Sequence, residues 1–227
     1  METLIIQIKH GGLGDHLFYS HIPRIAKESG KYSKVLISNL SDLRNKHYKK
    51  LVWELNPHVD GFTDLPGVSI DAGDVTEKDN FNLLDKIMLG FRLDDGKRFH
   101  EPEIYYKPKN IAGLNDKVIY DPNYISNAGF VTTPKVTKYF KKNNIPVDYQ
   151  LTIRPPHSIP VFEFGEFIKG DSFWDFLDIV YSAKKVYCLV TGTATLLPAL
   201  GKSAGVLHTK DIRVVFRHSK LNQYIQL

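Results

Sequence analysis

Two short stretches of this chain bring together residue types that could do chemistry. The first, "HGGLGD", sets Gly11, Gly12 and Gly14 against Asp15, and the second, "VTGTAT", sets Thr191, Thr193 and Thr195 around Gly192. Glycines let a ligand approach the backbone closely, and a carboxylate presented there can take a proton from a substrate hydroxyl. At the second stretch, backbone N–H groups and threonine hydroxyls are donors suited to a diphosphate, and a helix dipole would favour its charge. Each has a plainer alternative: Asp15 as a helix-capping carboxylate, and Thr191 or Thr193 as an ordinary N-cap. His10 and His16 flank the glycine turn and are candidates to hydrogen-bond substrate or phosphate. In "VFEFGEF", Glu163 is a candidate contact to a ribose or sugar.

Several familiar sites are excluded by spacing. The second turn is not a Walker A loop, which requires a lysine followed by Ser or Thr at a defined glycine spacing, because Lys202 lies at the far end of the following helix. The first is not a dinucleotide fingerprint: its glycines are not spaced G-x-G-x-x-G, and "KVLIS" is followed by Asn39 where a ribose-binding acid would stand. His10, His16 and His21 match neither H-E-x-x-H nor a finger. No G-x-S-x-G elbow occurs, and the single cysteine, Cys188, lies inside the apolar run "KVYCLV".

The elements that must position these turns follow from hydrophobic period. Leu4, Ile5, Ile6 and Ile8 form an apolar, β-branched run of the kind covered on both faces of a parallel sheet, and from Leu17 onward the apolar spacing is helical. Further along the chain, a strand at Lys34 to Ser38, a helix stopped by Pro57, a short strand in "VDGFTD" and a helix in "NFNLLDKIMLGF" continue the alternation. A charged, Gly- and Pro-containing stretch, "RLDDGKRFHEPEIYYKPKNIAGLNDK", reads as a junction. Strands at "KVIYDPN", "YQLTI" and "VFEF", with a helix from Pro134 to Asn143 between the first two, lead into helix "SFWDFLDIVYSAK", strand "KVYCLV", a turn and helix through "TGTATLLPALGK", and strand "AGVLH". The expectation is an α/β protein of two Rossmann-like lobes, residues 1–105 and 116–227, with parallel sheets and a cleft between them. Pro198 inside a helix needs special accommodation.

The 227 residues are 42% hydrophobic and 24% charged, as in globular proteins, and 30 Lys plus Arg against 25 Asp plus Glu leave a net charge of +5. That favours anionic partners, but no lysine or arginine block is dense enough for a nucleic-acid arm, so nucleic acid is not expected. One cysteine excludes an internal disulfide, and the early glycine turn and lack of a spanning apolar run predict a cytoplasmic protein whose membrane contact would be peripheral.

"GGLGDHLFYSHIPRIAK" together with "SFWDFLDIVYSAKKVYCLVTGTATLLPALGKSAGVLH" resembles the heptosyltransferase-like glycosyltransferases, family nine, of the GT-B fold. Gly12, Gly14, Asp15 and Pro23 match that family's opening turn, and Ile179 to Leu207 match its second motif, with Val190 where the family has an aspartate and Leu196 or Leu197 where a histidine follows. The resemblance implies that Asp15 deprotonates the acceptor hydroxyl and that Thr191, Gly192 and Thr193 cradle the diphosphate of a nucleotide-sugar donor. It further implies transfer with inversion, without a metal, to a glycan or glycolipid of bacterial surface-polysaccharide type, as in lipopolysaccharide biosynthesis. Lys9, Arg154 and Lys202 are candidates for the charge that a metal would otherwise supply. The alternatives are a nucleotide-sugar hydrolase or epimerase using the same cradle, and a non-catalytic nucleotide-binding scaffold.

Overall fold

The computed structural model describes residues 2–70, 81–125, 130–152, 157–209, 217 and 219–227. The chain forms two compact units: Met1–Tyr106 with Arg213–Lys220, and Lys107–Ile212 with Leu221–Leu227.

In the first unit, β1 (Glu2–Ile6), β2 (Tyr32–Ser38) and β3 (Gly61–Thr63) pair in that order, all parallel. Leu4, Ile6 and Ile8 are buried, whereas Ile5, on the other face of the strand, is half-buried, so the run is fully covered on one face only. The single helix expected after the glycine turn is two: α1 (Leu13–Leu17) and α2 (Ile22–Glu28). Pro23 stands in the first turn of α2, where its missing N–H has no intrahelical partner to lose. After β2, α3 (Lys46–Lys49) is capped by the Asn45 side chain, which accepts the His47 N–H at 2.9 Å. It then widens into a π-turn over Lys50–Glu54 that buries Leu51, Val52 and Trp53. α4 (Leu83–Gly90) is capped by Asn82 through the Asp85 N–H.

The second unit is built on six parallel strands: β4 (Val118–Asp121), β6 (Tyr149–Leu151), β8 (Glu166–Ile168), β9 (Lys185–Leu189), β10 (Ala204–His208) and β11 (Gln223–Gln226), in the order β11-β10-β9-β4-β6-β8. A short antiparallel pair, β5 (Asn123–Tyr124) and β7 (His157–Ser158), stands apart from it. The helices are α5 (Thr133–Lys142), α6 (Phe173–Ser182) and α7 (Gly192–Ala199). "VFEF" is not a strand. Its Val161 and Phe164 instead pack into a core with Tyr120, Val136 and Phe140, while the Gln150 amide donates to the Val161 and Phe164 carbonyls at 2.9 and 2.6 Å. The strand comes later, at β8. β11 has no counterpart in the sequence reading: "QYIQ" is too short and polar to announce itself, and it is a strand because it completes the β10 edge.

The units share a device that no sequence repeat reveals. Asp60, just before β3, donates its N–H to the Val35 carbonyl at 2.8 Å and accepts the Val35 N–H at Oδ2 at 2.6 Å. Asp148, just before β6, does the same with Val118 at 2.9 and 2.7 Å. Each "VD" thus closes both hydrogen bonds of one residue on the neighbouring strand and sets where parallel pairing begins.

Pro198 is accommodated by a side chain from the end of the chain. A proline cannot donate to the carbonyl four residues back, here Ala194. That carbonyl accepts from the Asn222 Nδ2 at 2.7 Å instead, while Asn222 Oδ1 accepts the Ala204 N–H at 2.9 Å. Asn222 therefore joins α7, β10 and the start of β11 through two buried bonds. Asn222→Ala strands a buried carbonyl and a buried N–H and is expected to lower stability by about 2–4 kcal/mol, read as a fall in the urea midpoint at unchanged slope.

Candidate functional site

The glycine turn lies where the chain leaves the β1 strand. Its first constraint is close approach: the Gly11 carbonyl accepts the Arg44 N–H at 3.0 Å, and a Cβ at Gly11 would sit 2.9 Å from that same backbone nitrogen. Gly12 is the N-cap of α1, and Asp15, three residues on, reaches back so that its Oδ2 accepts the Gly12 N–H at 3.0 Å. A Cβ on Gly12 would meet that oxygen at 2.7 Å, so glycine is what allows the carboxylate in. Asp15 thus does cap its helix. A purely capping carboxylate at a positive helix end would be held below the ordinary range, yet Asp15 is pushed above it. Burial raises it, and the opposing pull of the Gly12 N–H, His10 and Arg44 is smaller. Asp15 also lines a small recess of about 20 Å³, room for about one water, together with Lys9, His10, Tyr19 and Ile70.

His16 has a different place from its neighbour. It is 1% exposed, and both ring nitrogens are committed: Nδ1 accepts the Trp53 Nε1–H at 2.9 Å, and Nε2 lies 2.9 Å from the Asp42 carbonyl. Since the indole can only donate and the carbonyl only accept, the imidazole is neutral with its proton on Nε2. It ties α1 to the 42–53 segment rather than facing a ligand. His21 is fully buried, stacks on His100 with ring centroids 5.4 Å apart, and has no hydrogen-bond partner of normal geometry on either nitrogen. Burial, then His100, lowers its pKa to about 3, with Asp85 and the Leu84 backbone pulling the other way. His100 bonds Asp85 at 2.7 Å and Asp95 at 3.1 Å. His10, His16 and His21 are therefore not gathered on one point. Among the described residues, no group of three or more His, Cys, Asp or Glu is arranged to hold a metal.

The second turn opens α7 at the carboxyl end of β9. Neither plain capping alternative holds: no side chain caps α7, because the Thr191 hydroxyl turns back toward the Leu189 carbonyl at 3.4 Å and the Thr193 hydroxyl donates to Asp121 Oδ2 at 2.6 Å. Thr191 and Gly192 are partly exposed, whereas Thr193 and Thr195 are buried. Asp121, at the carboxyl end of β4 and buried, is the residue that sequence reasoning missed. Its other oxygen accepts the Asn123 N–H at 3.1 Å and its Nδ2 at 2.8 Å, so the carboxylate ties two strand ends and α7 together. The signal available was an Asp before Pro at a strand end, which reads as a turn.

Glu163 pairs with Lys141 on α5. Lys202 donates to the Ala183 carbonyl at 3.0 Å, Lys9 stands exposed by the Asp15 recess, and Arg154 lies outside the described residues.

No protein-family model matches this sequence, and no curated protein does. Solved structures do match. TibC of enterotoxigenic E. coli H10407, a dodecameric iron-containing heptosyltransferase solved with ADP-D-β-D-heptose, aligns over 98% of this chain and 62% of its own at 12% identity and a TM-score of 0.66. A family nine glycosyltransferase of Veillonella parvula aligns over 100% and 86% at 7% identity and 0.64. The ADP-heptose lipopolysaccharide heptosyltransferase II of E. coli aligns over 100% and 91% at 10% identity and 0.56. This chain has the heptosyltransferase fold. It spans 62% of the length of TibC.

The His16 assignment has a pH signature. Burial outweighs the pull of Asp42 and lowers the folded-state pKa from 6.5 to about 4, so folding favours the neutral ring. That contribution is complete above pH 6.5 and is lost as pH falls toward 4, amounting to about 3 kcal/mol over the window. His16→Gln, which keeps a donor and an acceptor but cannot be protonated, is expected to lose stability less steeply than wild type between pH 6.5 and 4.5 in urea denaturation. Parallel pH profiles would overturn the assignment.

Proposed function

We propose that this protein is a glycosyltransferase that moves a sugar from a nucleotide-diphosphate sugar to a hydroxyl of a glycan or glycolipid, with inversion at the anomeric carbon and without a metal. The observation that carries the reading is Asp15: a partly buried carboxylate, raised above its ordinary range, held by one backbone N–H beside a recess, in a turn where a Cβ at Gly11 or Gly12 would meet its neighbours within 3 Å. A base in this position takes the proton of the acceptor hydroxyl as the oxygen attacks, and a raised pKa brings it closer to the optimum for that transfer. Inversion follows from a single displacement. His16 is a positioning residue in this reading, since its two bonds hold the helix that presents Asp15.

The donor diphosphate is assigned to the α7 turn. The first-turn N–H groups there have no side-chain cap, and the leaving diphosphate is the charge they would stabilise. Thr193 and Asp121 shape the turn from beneath, with Thr191 and Gly192 as the exposed surface for the ligand. The solved complexes of TibC and of the E. coli heptosyltransferase WaaC with ADP-sugars support an activated nucleotide sugar as the donor class. The acceptor, a surface polysaccharide or lipopolysaccharide precursor, and a location at the inner membrane face belong to the same proposal. Among the described residues no helix is long and apolar enough to cross a membrane.

The test is release of nucleotide diphosphate from a panel of ADP-, UDP- and GDP-sugars, and of nucleotide monophosphate from CMP-sugars, with and without a mixed glycan acceptor. Release that depends on acceptor, reduced about 100-fold or more in Asp15→Asn with donor binding retained, is the expected result. Full turnover in Asp15→Asn would remove the base assignment, and release without acceptor would make the protein a hydrolase.

A further inference from the structure

The second unit carries a surface that neither turn uses. α5 buries Val136 and Phe140 and leaves Lys135, Lys138, Lys141 and Lys142 exposed. Three of these lysines, with Glu163 as the one acid, line an open groove of about 550 Å³ along the helix. Beside it stand two phenylalanines that a water-facing surface has no use for: Phe130 is 75% exposed and Phe162 is 76% exposed. Both are fixed to the same body. Phe130 precedes Val131, and Phe162 lies between Val161 and the Glu163 that pairs with Lys141. Val131 and Val161 are buried in the core cluster that also takes Val136 and Phe140 from α5. The Lys135 ammonium donates to the Phe130 carbonyl at 3.4 Å. Phe130 is held at φ 57°, in the left-handed region that costs a bulky residue free energy, and its ring is left in solvent.

We propose that this face, the lysine-lined groove of α5 with Phe130 and Phe162, docks the protein on an anionic phospholipid surface. Lysines on a helix face lie at headgroup level, where their stems cover apolar surface and their ammonium groups meet phosphates, and exposed aromatic rings enter the acyl boundary beside them. Charge complementarity selects this occupant over a second copy of the chain, because a two-fold contact would set lysines against lysines. The inference names the surface for the peripheral membrane contact proposed above. Vesicle binding is read without turnover, so its failure and that of the transferase reading are distinguishable.

The experiment is co-sedimentation of the full chain with vesicles of phosphatidylcholine alone and of an equimolar mixture with phosphatidylglycerol. Binding is expected to the anionic vesicles only and to weaken with salt. The triple variant Lys138→Gln, Lys141→Gln, Lys142→Gln is expected to lose about 100-fold in affinity, from roughly fivefold per lysine charge removed. The double variant Phe130→Asn, Phe162→Ser is expected to bind about tenfold or more weakly while keeping its salt dependence. All five positions are exposed, so unchanged thermal unfolding verifies that the variants are folded. Wild type that ignores anionic vesicles overturns the proposal, as does full binding by either variant. So does displacement of the protein from the vesicles by equivalent concentrations of inorganic phosphate or single-stranded DNA, which would make the groove a general anion site.

Discussion

A strand that runs parallel to its neighbour must be reached by a crossover, and a helical crossover puts its N-terminus at the carboxyl end of the strand it follows. In both units of this chain the sheet is parallel, so each unit presents a strand end with a helix opening beside it: β1 with α1, and β9 with α7. The proposed chemistry falls at these two ends because that is where backbone donors are unsatisfied within the helix and the peptide dipoles point outward.

The two ends are finished differently. At α1 the free donor of Gly12 is taken by Asp15, and burial leaves that carboxyl easier to protonate than an ordinary aspartate. At α7 the side chains that could have capped the helix are occupied elsewhere, Thr193 by Asp121 and Thr191 by its own strand end. One turn therefore carries a carboxylate of raised pKa, and the other leaves first-turn donors without a side-chain acceptor. A carboxylate suits proton transfer and bare N–H groups suit an anion, the two tasks that sugar transfer separates.

What holds these turns in shape is a small set of buried polar groups paired over long sequence distances. His16 reaches Asp42 and Trp53, Thr193 reaches Asp121, and Asn222 reaches Ala194 and Ala204. Buried polar groups are costly unless paired, so each of these bonds fixes one segment against another more specifically than apolar packing does. His21, stacked on His100 with neither nitrogen in a normal hydrogen bond, is an exception within the first unit.

Hydrophobic period and turn residues alone were enough for the parallel α/β class, for most of the strands, and for the two glycine and threonine turns. These depend on residues adjacent in the chain and on the alternation of strand and helix period. The missed features are those decided by neighbours distant in sequence. "VFEF" has a strand's composition, but Val161 and Phe164 are drawn into the core under α5, whereas polar "QYIQ" becomes a strand at an edge that β10 leaves open. His16 reads as a ligand-facing residue beside a glycine turn until Trp53 and Asp42 arrive on either side of its ring. Asp121 reads as a turn residue until α7 brings Thr193 onto it. Local sequence determined which atoms could do chemistry, and only the tertiary structure decided which remain available, because a side chain's hydrogen bonds belong to whatever folding places within 3 Å of it.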